Sequence, residues 1–253
     1  MKQSVRHQKI IDLVKQEGYV STEELVDILN VSPQTIRRDL NTLAEQDLIR
    51  RHHGGAAHPS SAENSDYADR KEFLSQEKNK IAQAAAKLIP NGSSLFIDIG
   101  TTAEAVANAL LSHKDLRIVT NNINAAHILM KNDSFHITMA GGTLRQDGGI
   151  IGEATVAFIS QFRLDFGILG ISSIDLDGSL LDYDYHEVQV KRAIIENSRQ
   201  TLLVSDHSKF NRHAMVKLGN LTDVDYFVTD GLLPPSIKER LALSDVTIIL
   251  GQE

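Results

Sequence analysis

The stretch Ser32-Pro33-Gln34-Thr35-Ile36-Arg37-Arg38-Asp39-Leu40 decides how this chain is read. Ser is a strong helix N-cap, and Pro is tolerated at the first helical position because the N–H it lacks has no partner there. Ile36, Leu40 and Leu43 recur at i, i+4 and i+7 and form one apolar stripe. Ser32, Gln34, Thr35, Arg37, Arg38 and Asn41 remain off it. Arg pairs in bidentate fashion with guanine edges, Gln with adenine edges, and Thr reaches phosphates or thymine methyls. The polar side of this helix is therefore suited to a DNA groove.

The flanking segments fit a helix-turn-helix. Val5, Ile10, Ile11 and Val14 predict a first helix, which Gly18 stops. Ser21-Thr22-Glu23-Glu24 has the spacing of a capping box, and Leu25, Val26 and Leu29 are the apolar positions of the helix it starts. Asn30-Val31 makes a tight turn into the Ser32 helix, which this order offers to the major groove. A small helical bundle with a charged outer face is the alternative. Downstream, Leu48–Ala57 is short, basic and glycine-punctuated, and reads as a β-hairpin wing. Arg50, Arg51 and His52 are its candidates for phosphate contacts, which position a protein on DNA and make binding salt-sensitive. Adjacent His52 and His53 lack ligand spacing and there is no Cys to join them, so no metal is expected.

The 253 residues suit two domains. Zero Cys excludes disulfides and thiol chemistry and makes a reducing cytoplasm the expected home. The N-terminus lacks an apolar signal core, and no run approaches the roughly 18 apolar residues of a membrane span. The net charge of −7 argues against nucleic acid until its distribution is examined. Residues 1–60 carry eight Lys/Arg and eight Asp/Glu, so the remaining 18 Lys/Arg and 25 Asp/Glu hold the whole −7. An acidic body disfavours nonspecific DNA binding and leaves contact to a local patch.

His58–Asp66 has linker composition. The expected division is a DNA-binding domain at 1–57, a linker at 58–75 and a second domain at 76–253. Beyond Gln76, strands at Ser94–Ile99, Leu116–Thr120, Phe135–Ala140, Phe166–Ile171, Thr201–Val204, Tyr226–Thr229 and Val246–Leu250 are separated by helical patterns. That alternation predicts an α/β domain with a mostly parallel sheet, whose ligands sit at the carboxyl ends of the strands.

Those ends carry oxyanion chemistry. Asp98-Ile99-Gly100-Thr101-Thr102 joins a strand to a helix. Its glycine permits close approach, its hydroxyls donate, and the helix start offers free N–H groups. Thr120-Asn121-Asn122 is a second polar turn. Gly141-Gly142-Thr143-Leu144-Arg145, followed by Gly152-Glu153, is a third. Arg145 either adds charge to an anion or forms a surface ion pair. Glu187 and Lys191 stand i,i+4, the favourable order for a plain helical pair or for a functional one. Lys209, in Ser205–Phe210, is a further candidate anion ligand. Asp206, His207 and Ser208 are neighbours and cannot face one another as a triad. No phosphate-loop motif is present, so nucleotide hydrolysis is not expected.

Taken together, Ser32–Leu40, the Arg51–Ala56 wing, Asp98–Thr102, Thr120–Asn122, Gly141-Gly142 with Arg145, and Asp206–Phe210 resemble the DeoR family of bacterial transcriptional regulators over essentially the full length. The resemblance implies a winged helix-turn-helix joined to a sugar- or polyol-phosphate-sensing domain similar to ribose-phosphate isomerase folds. It further implies operator DNA and a small phosphorylated effector as partners, no cofactor, no membrane and a homo-oligomer. A closer likeness over Pro90–Gly100, Arg163–Ser172 and Tyr185–Arg199 to members that respond to glycerol 3-phosphate implies that effector, repression, and operators at glycerol-utilisation genes. The rival reading is a sugar-phosphate isomerase. Such enzymes carry paired acids on a loop comparable to Gly170-Ile171-Ser172-Ser173, which has none here, so a non-catalytic sensor is expected. A DNA-binding protein whose body only oligomerises is a third possibility.

Overall fold

The computed structural model describes residues 2–46, 48–52, 54–57, 64, 67–231 and 233–251. His53 and the linker residues 58–63, Ser65 and Asp66 lie outside the described residues.

The N-terminal unit is α1 (Gln3–Glu17), β1 (Tyr19–Ser21), α2 (Thr22–Leu29), α3 (Pro33–Glu45), β2 (Arg50–His52) and β3 (Gly55–Ala57). Both expected caps form. Glu24 N–H donates to Ser21 Oγ at 3.1 Å while Ser21 N–H donates to the Glu24 carboxylate at 2.8 Å. Thr35 N–H donates to Ser32 Oγ at 3.2 Å, with Pro33 opening α3. Asn30, in the left-handed region at φ 50°, turns the chain between α2 and α3. Ile10, Leu25, Ile36, Leu40 and Leu43 meet in one apolar core. The wing is three-stranded, with order β1-β3-β2, so Tyr19–Ser21 adds a strand to the expected hairpin.

The second unit begins with α4 (Tyr67–Glu72) and α5 (Ser75–Ala86). The stretch expected as linker thus contains a helix. Then come β4 (Ser94–Ile97), α6 (Thr101–Ala109), β5 (Arg117–Thr120), α7 (Ile123–Leu129), β6 (His136–Met139), β7 (Thr143-Leu144), β8 (Ile150-Ile151), α8 (Glu153–Ile159) and β9 (Leu164–Leu169). They are followed by β10 (Ser173-Ile174), β11 (Ser179–Asp182), α9 (Tyr185–Glu196), β12 (Ser198–Val204), β13 (Val216–Asn220), β14 (Tyr226–Thr229), α10 (Pro235–Ala242) and β15 (Thr247–Leu250).

Seven strands form one sheet in the order β15-β14-β12-β9-β4-β5-β6, and every pair is parallel. Such a sheet is buried on both faces. Accordingly Leu95 and Ile97 pack with α5, α6 and α7, while Phe96 between them packs with α8, α9 and α10. A small antiparallel sheet, β10-β11-β13, lies beside it.

From β4 the chain runs outward to β5 and β6, then returns to β9 on the other side of β4 and continues to β12, β14 and β15. The order reverses between β4 and β9. A crevice opens at the carboxyl ends of strands at such a point, because the following connections diverge.

Candidate DNA-binding surface and anion cleft

On α3, Gln34 and Arg38 are exposed and are not among the residues lining the crevice between the two units. Arg37 is also exposed, but Pro33, Arg37, Asn41 and Ala44 form a stripe that lines a crevice of about 1270 Å3 between the two units. Thr35 shares a 2.9 Å hydrogen bond with Ser32 through their hydroxyls, and Ser32 is occupied as the cap. On the wing, Arg50 is partly buried in β2 and His52 ends that strand. Arg51 turns into the same crevice, across from Asp69 and Glu72 of α4. Burial depresses the charge affinity of its guanidinium, and those two carboxylates oppose the effect.

The second site is a narrow cleft of about 40 Å3 at the β4/β9 reversal. Gly100, Thr101 and Thr102 line it from the turn after β4, and Gly170, Ile171 and Ser172 from the turn after β9. Ser205 and Lys209 enter from beyond β12, Glu187 and Lys191 from α9, and Arg70 from α4. Gly100, at φ 123°, holds a backbone shape that a side chain would strain and caps α6 without a side-chain bond. Burial, together with Arg212, Lys78 and Arg70 nearby, lowers the Lys209 ammonium to about 7 against the pull of Asp206.

Beneath the cleft lies a buried charge cluster. Lys191 is 1% exposed and reaches Asp98 at the end of β4, Glu187 at 3.0 Å and Asp182 at 3.8 Å. Burial alone would strip the Lys191 proton, but the three carboxylates hold its pKa above the ordinary lysine range. Burial and the Glu187 charge push Asp182 up to about 7. Burial would raise Glu187 too, yet Lys191 and Arg145 hold it below the usual carboxylate range. The Glu187–Lys191 pair is therefore not a surface pair: Asp98, 93 residues away in sequence, completes it.

Residues 6–62 match the DeoR-like helix-turn-helix domain, and residues 74–231 match the DeoR C terminal sensor domain. The chain belongs to the DeoR family. It is 75% identical to the glycerol-3-phosphate regulon repressor of Haemophilus influenzae over 99% of this chain and 98% of that one. It is 65% identical to the glycerol-3-phosphate regulon repressor of Escherichia coli K12 over 97% of each. Among solved structures, a D-ribose-5-phosphate isomerase in complex with phospho-erythronic acid is similar at 15% identity, covering 54% of both chains with a TM-score of 0.41.

Within this DeoR-family fold, Gly100, Thr101, Thr102, Glu187, Lys191 and Lys209 converge on the cleft, with Asp98 directly beneath. The other expected effector ligands are placed elsewhere. Asn121 donates to the Ile150 carbonyl at 3.0 Å, and Asn122 caps α7 while donating to the Asp98 carbonyl. Gly141 and Gly142 follow β6, the outermost strand, two strands from β4, and open the β7/β8 hairpin. The role of Gly142 there is steric: it has φ 151°, and a Cβ would sit 2.1 Å from Thr155 Oγ1. Gly152 and Glu153 start α8 on the far side of that hairpin. Arg145 reaches Asp147 at 3.0 Å, Asp184 at 3.1 Å and Glu187 at 2.8 Å, so its charge is spent on carboxylates.

Arg70, Ser172 and Ser205 line the cleft without having been expected there. Ser205 and Ser172 stand at strand ends, a signal the sequence carried. Arg70 sits in the presumed linker, where no local pattern marked it.

Proposed function

We propose that this chain is a transcriptional repressor that binds operator DNA through α3 and the wing and releases it when glycerol 3-phosphate, or a close relative, occupies the β4/β9 cleft. The observation that carries the reading is the convergence of the Gly100-Thr101-Thr102 helix start with Lys209 and Arg70 at the point where strand order reverses. Helix N-termini and clustered cations are built for a phosphate. The named relatives regulate a glycerol-3-phosphate regulon, which supports glycerol 3-phosphate as effector and glycerol-utilisation promoters as targets. The proposed effector ligands are Gly100, Thr101, Thr102, Lys209 and Arg70, with Asp98, Glu187 and Lys191 as the floor that sets their charge. Gln34 and Arg38 are the proposed base contacts, with Arg50 on phosphates. The working form is a cytoplasmic homo-oligomer, since helix-turn-helix proteins read paired half-sites as dimers or higher forms.

The sensor is non-catalytic in this reading. Glu187 is a carboxylate at the cleft, but both of its oxygens are engaged, one with Arg145 and one with Lys191. A carboxylate held below its ordinary pKa is a poor general base. Footprinting on promoter fragments of glycerol-utilisation genes tests the whole reading. Protection that glycerol 3-phosphate removes is the expected result. Protection indifferent to it, or turnover of ribose 5-phosphate by the purified chain, would overturn it.

A further inference from the structure

Helix α4 touches both sites. On the sensor side, Tyr67 donates to Glu104 at 2.7 Å and accepts from Asn124 at 3.0 Å. Arg70 reaches Asp147 at 3.3 Å, and its backbone carbonyl accepts from the Thr101 hydroxyl at 3.3 Å and from the Lys78 ammonium. On the other side, Asp69 and Glu72 line the interdomain crevice opposite Arg51 of the wing and Arg37 of α3. Six residues thus connect the cleft to the DNA-binding unit.

The Thr101 contact is exclusive. A threonine hydroxyl carries one proton, so Thr101 can donate to a ligand phosphate or to the Arg70 carbonyl, not to both. Arg70 spends one donor on the Asp147 carboxylate at 3.3 Å, and a phosphate, as a charge-assisted bidentate partner, would compete for the orientation of its planar fork. The cleft of about 40 Å3 has room for only a few waters at roughly 10–15 Å3 each, so a polyol phosphate enters only if its walls move. Of these walls, the Thr101 hydroxyl must exchange its bond and Arg70 must reorient. On the other side, Arg51 of the wing faces the α4 carboxylates across the crevice.

Resting on the effector reading above, we propose that α4 is the coupling element. The ligand phosphate takes the Thr101 hydroxyl from its present partner and reorients Arg70, and the same helix passes the displacement through Asp69 and Glu72 to Arg51 and the wing. Arg70 supplies what coupling requires, a contact that differs between the two states.

Coupling is reciprocal, so it is measured as the ratio of the glycerol 3-phosphate Kd with and without operator DNA. The test compares the full chain with Asp69→Asn/Glu72→Gln, which keeps shape and removes both carboxylates without touching the cleft. The double variant is expected to bind glycerol 3-phosphate in the absence of DNA as the unsubstituted chain does, which also shows that its sensor is folded. Its coupling ratio should fall toward one from the ~5–150-fold range usual for such systems. An unchanged ratio in a variant that still binds both ligands overturns the proposal alone. Failure of the unsubstituted chain to bind glycerol 3-phosphate at all overturns the effector reading, and the proposal with it.

Discussion

Arg6 of α1 and Asp39 of α3 form a two-pronged ion pair beneath the helix-turn-helix, with Arg6 Nη2 3.0 Å from Asp39 Oδ1, Nε on the other oxygen and His7 on Oδ1 as well. The residues are 8% and 1% exposed. Asp39 falls within the deciding stretch of the sequence, yet it faces inward and fixes α3 to α1. Arg6→Ala should leave a buried carboxylate without its cation. The expected cost is about 3 kcal/mol, the low end for removing one partner of a buried pair. Chemical denaturation of the full chain, following the N-terminal unit, checks it.

The same pair sets an acid limit. Burial would raise the Asp39 pKa, but the bonds from Arg6 and His7 win and hold it below the usual carboxylate range. A depressed folded pKa means that the stabilisation is present above the unfolded value of about 3.9 and is lost as pH falls through the folded one. The N-terminal unit should therefore lose stability below about pH 4 more steeply than an Asp39→Asn variant does. Parallel slopes in thermal melts from pH 6 to pH 3 would contradict this.

Arg37 and Arg38 are neighbours with different outlooks. Arg38→Ala should cost about 1–3 kcal/mol of operator binding and relax sequence preference if it reads a base. Arg37 lies on the crevice stripe, so Arg37→Ala should cost less and leave preference intact. Competition binding against random DNA at fixed salt separates the two.

Lys191 stands among three carboxylates. Lys191→Met should destabilise the sensor by about 3–5 kcal/mol, the cost of uncompensated buried charge. Adding Asp98→Asn should restore part of that loss, because one stranded charge is removed. Additive losses in the double-mutant cycle would show that the two residues are not energetically joined.

Lys209 gives the cleft a pH signature. With its pKa near 7, it is partly neutral at physiological pH, and a phosphate dianion favours the protonated form. Glycerol 3-phosphate binding should take up a proton above pH 7 and weaken by up to about tenfold per pH unit as the ammonium is lost. Calorimetry in buffers of different ionisation enthalpy measures the uptake, which Lys209→Met should abolish.

The local features were readable in advance. Ser21 and Ser32 each cap a helix through the residue three positions on, and Gly100-Thr101-Thr102 lies wholly within one turn. The features missed depend on distant partners. Glu187 and Lys191 were visible as a pair, but Asp98 and Asp182 reach them only through the fold. For Arg145 the sequence left an anion ligand and an ion pair both open, because its three carboxylate partners are brought to it only by α9 and the turn after β7. Helix α4 has no buried residue and so no apolar period; it is held by Tyr67 and Arg70 contacts that no sequence window contains. The sheet β10-β11-β13 is built of short strands, and β13 pairs with β11 from a distant part of the sequence, which leaves little pattern to read.

The cleft is assembled from turns that follow three adjacent strands, β4, β9 and β12. Those strands form the middle of the sheet, and the turns pack on it through Ile99 and Ile171 while their polar groups edge the cleft. Exchanging the half-buried Thr101 would thus alter the cleft at less risk to folding than exchanging Ser172 or Ser205, which are 7% and 2% exposed. One scaffold can in this way be retuned to different metabolites while its grip on DNA is inherited unchanged.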